Sequence, residues 1–164
     1  MHGGWRAAVE VQDNVDGDWL TRTHVASCCI GILGAQEVLY LLAFRDNDGQ
    51  LLDGQRSYQL RFPPGGLPQV DAFWSLTLYS KSDCLFDDNP MQRYAIGDRT
   101  QGLANDDDGG LTLHFGHHPP ALISNWLTVS AAPFYLALRL YLPGQVHQQH
   151  QYNYPAIEAT GPKT

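Results

Sequence analysis

The amino-acid sequence predicts a mainly β fold, an antiparallel β-sandwich of jelly-roll type with one N-terminal helix packed on it. Three observations lead there. Apolar residues alternate with polar ones in several separate stretches, which is the two-residue period of a strand with one buried face. Gly, Pro and Asp clusters punctuate those stretches, as hairpin and sandwich turns require. A three-to-four residue apolar period, the mark of a helix, occurs once, near the start of the chain.

Taken in order, residues 1–17 are polar and rich in Gly and Asp, and are expected to be loosely ordered. Asp18 reads as the N-cap of a helix over 18–33 that stops at Gly34. Leu20, Val25, Cys28, Cys29, Ile32 and Leu33 form its single apolar stripe. From Val38 to Phe44 both faces are apolar, as in a strand buried centrally in a sandwich. Asp46-Asn47-Asp48-Gly49 is a turn sequence, and Tyr58, Leu60 and Phe62 then alternate with Gln59 and Arg61. Phe62 to Gln69 (FPPGGLPQ) is a loop.

In Ala72 to Tyr79 (AFWSLTLY), Trp74, Leu76 and Leu78 share one face, and Phe73, Ser75, Thr77 and Tyr79 share the other. Leu111, Leu113 and Phe115 repeat the pattern against Thr112 and His114. Phe134, Leu136, Leu138 and Leu140 repeat it against Tyr135, Ala137, Arg139 and Tyr141. The segment from Pro143 is expected to be extended and partly packed through Tyr152 and Tyr154. The predicted organisation is one β domain over 18–157, followed by a tail over 158–164.

Composition narrows the function classes. The chain of 164 residues is 43% hydrophobic and 16% charged, enough apolar material for one core. Ten Lys and Arg against 17 Asp and Glu give a net charge of −7, and the basic residues are scattered singly. Nucleic acid is therefore not an expected partner, because phosphate binding needs clustered cations. No apolar run reaches the roughly 18–20 residues of a membrane span, and the N-terminal residues lack a signal-peptide pattern. That makes the cytoplasm the default expectation, with a periplasmic or secreted location if the N-terminus is truncated. Three Cys, two of them adjacent, imply no disulfide framework.

Several motifs together, AFWSLTLY at 72–79, NPMQRYAIGDRT at 89–100, DGGLTLHF at 108–115, NWLT at 125–128 and FYLALRLYLP at 134–143, resemble the domain of unknown function 1214. DNDGQLLDG at 46–54 followed by Tyr58 fits the same family, and the similarity runs over about 18–157. The resemblance implies a jelly-roll-like sandwich. It also implies a frequent N-terminal companion, the domain of unknown function 1254, which has no counterpart in this sequence. Thr128 stands where relatives commonly carry proline, so the turn after Trp126 is expected to be less rigid.

The residues that could form a ligand site are Trp74, Tyr79, Asn89, Arg93, Tyr94, His114, Asn125, Trp126, Arg139 and Tyr141. Aromatic rings offer stacking faces, and Asn and Arg offer directed hydrogen bonds to hydroxyls or carboxylates. The structural alternative gives Asn89 and Asn125 to turn capping, and Arg93 and Arg139 to tying strand ends. If their strands share a sheet, Ser75, Thr77, Tyr79, His114, Tyr135, Arg139 and Tyr141 would build one polar, aromatic surface.

No metal site or cofactor is expected. His114, His117 and His118 lie close in sequence, but adjacent residues on extended backbone point apart. Asp46, Asp48 and Asp53, or Asp106 to Asp108, supply hard oxygens without completing a calcium loop. Nucleophile-elbow, phosphate-loop, dinucleotide and zinc-protease signatures are absent. The predicted role is a non-catalytic binding or assembly module, with glycans as the ligand class. The alternatives are an enzyme acting on a carbohydrate or another small polar substrate, through a carboxylate, His114 or a Tyr, and a pure oligomerisation module.

Overall fold

The structure is a computed structural model that describes residues 3–7, 19–20, 23, 33–86, 88–89 and 91–161. Nine strands occur among them: β1 (Trp5–Ala7), β2 (Val38–Ala43), β3 (Ser57–Phe62), β4 (Val70–Ser80), β5 (Ala95–Gly97), β6 (Leu111–Gly116), β7 (Trp126–Thr128), β8 (Phe134–Pro143) and β9 (Ile157–Thr160). They form a five-stranded sheet in the order β1-β2-β8-β4-β5 and a four-stranded sheet in the order β7-β6-β3-β9.

Alternation along the long strands decides how the sheets meet. Leu41 in β2, Trp74, Leu76 and Leu78 in β4, and Phe134, Leu136, Leu138 and Leu140 in β8 face inward. Tyr58, Leu60, Phe62, Leu111, Leu113 and Phe115 meet them from the smaller sheet, and one buried cluster contains both sets. Tyr58 sits edge-on to Phe134 at 5.7 Å, and Phe62 lies 5.6 Å from Trp74, so rings from the two sheets interlock. The mainly β expectation and the strands centred on 38–44, 58–62, 72–79, 111–115 and 134–141 appear as read.

Three features differ from expectation. The strand order departs from two four-stranded jelly-roll sheets, because β1 adds a fifth strand and β6 pairs β7 in parallel. That parallel pair arises because a short 3-10 helix, Ile123–Asn125, returns the chain beside β6 in the same direction. Second, most of the helix expected over 18–33 lies outside the described residues. Trp19, Leu20 and Thr23 are helical, with the Thr23 hydroxyl donating to the Trp19 carbonyl at 2.7 Å. Leu20, expected in the packed stripe, is 85% exposed. Among the described residues the α-helix with its whole span given is α1 (Gln145–Gln148), whose His147 is buried.

Third, Trp5–Ala7, inside the stretch expected to be loose, pairs antiparallel with Ala43 to Leu41. Trp5 is buried and its indole N–H donates to the Pro155 carbonyl at 2.8 Å. A core place for one large ring explains why such a short strand is held. At the other edge, β5 is fitted closely: a Cβ on Gly97 would stand 2.2 Å from the Trp74 carbonyl oxygen. Beyond α1 the chain folds back through Tyr152 and Tyr154, and Ile157–Thr160 pairs with β3.

Candidate functional site

The outer face of the five-stranded sheet follows from the register. Tyr40 pairs with Arg139, and Arg139 with Ser75; Thr77 pairs with Ala137, Tyr79 with Tyr135 and Phe73 with Tyr141. Odd and even positions alternate across a strand, so every residue opposite an inward Trp or Leu faces outward. Tyr79, Arg139 and Tyr141 are therefore brought together, along with Ser75, Thr77 and Tyr135.

The rings on this face form a continuous stack. Phe44 stacks on Tyr135 at 5.1 Å, Tyr135 on Tyr79 at 5.3 Å, Tyr79 on Phe86 at 5.0 Å and Phe86 on Tyr94 at 5.1 Å. Interplanar angles along the stack run from 17° to 27°. Nearly parallel rings with centres 5 Å apart are offset-stacked, so each covers part of its neighbour's face. Beside the stack, Arg139 donates to the Thr77 hydroxyl at 2.8 Å and to the Tyr79 hydroxyl at 2.6 Å. A second pair, Phe73 on Tyr141 at 4.1 Å, carries the Arg99 guanidinium 4.2 Å from the Phe73 ring centre. Burial, reinforced by the Cys84 thiol nearby, holds the Tyr135 hydroxyl well above the ordinary tyrosine range. Most of these rings are half-buried, and Phe86 is 51% exposed.

The remaining sequence-predicted residues lie elsewhere. Trp74 is a core residue between the sheets, 2% exposed. Arg93, Asn125 and Trp126 converge on the turn into β7. Arg93 donates to the carbonyls of Ile123, Ser124 and Trp126, and its own backbone is held by the Asn89 side chain. Asn125 is fully buried, accepts from the Ala104 N–H at 3.0 Å and donates to the carbonyls of Ala104 and Thr112 at 2.7 and 2.9 Å. The Trp126 indole N–H donates to the Gly116 carbonyl at 3.1 Å. These polar atoms are occupied by the chain itself.

His114 goes to the other sheet, beside Trp126 in register, on the outer face of β6. Burial lowers its pKa below the ordinary imidazole value, against an opposing pull from Asp106. The acidic turns are committed. Asp46 accepts from the N–H groups of Asp48 and Gln50 and pairs with Arg56 at 3.2 Å. Asp106 and Asp108 both pair with Arg61. Among the described residues no three His, Cys, Asp or Glu side chains converge as metal ligands, and no helix is long and apolar enough to cross a membrane.

The rings at Phe44 and Phe86 were missed as site residues, and Tyr94 was a candidate without a face assigned to it. Phe44 continues the β2 alternation and was readable in principle; Phe86 and Tyr94 sit in irregular chain with no period to assign them a face.

No functionally curated protein matches the chain. Among solved structures, the VPA0106 protein from Vibrio parahaemolyticus is similar at 31% identity with a TM-score of 0.70, over 80% of this chain and 32% of the other. An uncharacterized protein from Burkholderia cenocepacia matches more loosely, at 16% identity and a TM-score of 0.48, over 77% of this chain and 31% of the other. The chain thus spans about a third of the length of these relatives. The family model matches residues 37–145, and the chain belongs to the family described as protein of unknown function (DUF1214).

Proposed function

We propose that this domain is a non-catalytic binding and assembly module whose working surface is the outer face of the five-stranded sheet. The observation that carries the reading is the stack Phe44–Tyr135–Tyr79–Phe86–Tyr94, flanked by Arg139. Tyr, Phe and Arg in one half-buried patch are the composition of the anchoring centre of a protein interface. The glycan reading fits this face less well. A sugar ring packs on an open aromatic face, and here each inner ring of the stack is partly covered by a neighbour on either side.

The occupant we assign is a folded companion segment. The Vibrio relative is about three times the matched length, so two-thirds of its chain lies outside the region shared with this domain. A module of this size with a stacked aromatic face suits packing against such a segment, as the frequent companion domain of the family would provide. The sandwich itself we read as kin to a jelly roll, with β2, β8 and β4 facing β3 and β6.

An enzymatic reading lacks a matching constellation. His114 carries the lowered pKa that such a reading wants, yet no hydrogen bond joins it to the nearby Ser57 among the described residues.

The test is calorimetric titration of this domain with the remainder of the Vibrio chain, produced separately. The expected result is saturable binding that Phe86→Ser or Arg139→Glu weakens by about tenfold or more. Absence of heat, with light scattering that shows either a monomer at all concentrations or a dimer disrupted by the same substitutions, would overturn the assignment.

A further inference from the structure

A concavity lies on the four-stranded sheet, independent of the stacked face. It encloses about 260 Å³ between β6, β7 and the loop joining them. His114 and Trp126, adjacent in register, line it together with His118, Pro119 and Pro120 of the following loop. Ser57 and Thr160, paired across β3 and β9, also line it.

The chemistry of the lining is specific. It contains no Lys, Arg, Asp or Glu, so a charged ligand would be desolvated without a counter-charge. Among the described residues, no hydrogen bond engages the side chains of His114, His118, Ser57 or Thr160. Each of these groups offers both a donor and an acceptor when the imidazoles are neutral. Burial keeps His114 neutral at pH 7. Four uncommitted donor–acceptor groups around one small space match a molecule whose own groups donate and accept, which is what hydroxyls do. Trp126, Pro119 and Pro120 add apolar ring surface to the lining, of the kind that packs against the C–H groups of a saturated ring. The volume is below the roughly 300–1,000 Å³ of drug-sized sites, which limits the occupant to one ring.

The geometry points to a binding site for a single neutral saccharide unit, or a polyol of that size, held between His114 and His118 against Trp126. The saccharide class inferred from sequence thus finds its shape in this pocket and not on the stacked face.

The site is tested by following the imidazole resonances in NMR while the full chain is titrated separately with glucose, galactose, mannose, N-acetylglucosamine and myo-inositol. At least one probe is expected to shift the His114 and His118 signals saturably, with a Kd on the order of 1–10 mM. His118→Ala, in the exposed loop, is expected to weaken that probe by about fivefold or more, and His114→Ala to abolish the response. Saturation by myo-inositol alone identifies a polyol site, and saturation by a sugar identifies the saccharide unit. Shifts that stay linear for every probe overturn the inference. So does a saturation midpoint that neither substitution moves. Thermal unfolding of both variants separates lost binding from lost folding, and neither result bears on the sheet-face proposal.

Discussion

Replacing Asn125 with alanine should reveal a structural keystone and not a ligand contact. The side chain is 0% exposed and makes three bonds to backbone, one to the Ala104 N–H and two to the carbonyls of Ala104 and Thr112. A further hydroxyl, from Ser124, donates to its Oδ1 at 3.1 Å. Truncation leaves three backbone groups without that partner, and an unsatisfied buried group costs about 1–3 kcal/mol. Ala104 and Thr112 are half-buried, so water recovers part of the loss. Taking the low end for each gives a net cost of about 3 kcal/mol. For a domain of this size that lowers Tm by roughly 6–12 °C.

Asn125→Asp sharpens the experiment. It retains the acceptor but turns a carboxylate oxygen toward two carbonyls, so at pH 7 it should be at least as damaging as alanine. Acidification should narrow the gap between the aspartate and alanine variants by returning a donor. Thermal unfolding followed by circular dichroism measures both variants. A drop of less than about 2 °C for Asn125→Ala would refute the reasoning, since it would mean those backbone groups find equivalent partners.

Other expectations test separate parts of the structure. His147 is buried with Nδ1 against the Tyr154 hydroxyl at 2.7 Å, and burial pushes its pKa down from 6.5 to about 4. The unfolded chain then binds the extra proton first, so its contribution is full above about pH 6.5 and lost as pH falls through about 4. Tm against pH should decline less steeply across that window for His147→Gln than for the unaltered chain; equal slopes would exclude the linkage. Trp5→Ala should cost about 3–5 kcal/mol in urea unfolding, and a cost under about 1 kcal/mol would remove β1 from the core. Gly97→Ala places a methyl 2.2 Å from the Trp74 carbonyl, and unfolding should show a loss of about 1–3 kcal/mol. An unchanged midpoint would show that β5 can shift freely.

Strand identity was legible wherever the alternation ran long enough. In 72–79 and 134–141 each face repeats three or four times, and both stretches are strands with the expected residues inward. The missed strands β1, β5, β7 and β9 have three or four residues each, so no face recurs more than twice and the period cannot be read. Trp5–Ala7 illustrates the consequence: a polar, Gly-rich neighbourhood concealed a strand fixed by one buried ring.

Parity also found part of the candidate face. It set Tyr79, Tyr135, Arg139 and Tyr141 opposite the core residues of their strands. It could not place His114 correctly among them, because local alternation carries no information about which strands are neighbours. Trp74, singled out for its ring, proved to need that ring for packing against Phe62.

By itself, then, the sequence determined the class of fold, the five long strands, the inward set of all of them but β2, and the family. These are local properties, carried by the period of apolar residues and by turn chemistry. Tertiary structure alone decided that β4 and β8 lie side by side while β6 joins the other sheet. It alone gathered five rings from β4, β8 and the chain beyond β2 and β4 into one stack, and set His114 beside Trp126 in a separate pocket. Such placements depend on contacts between residues far apart in the chain, and their energies arise only when the two sheets close over a shared core.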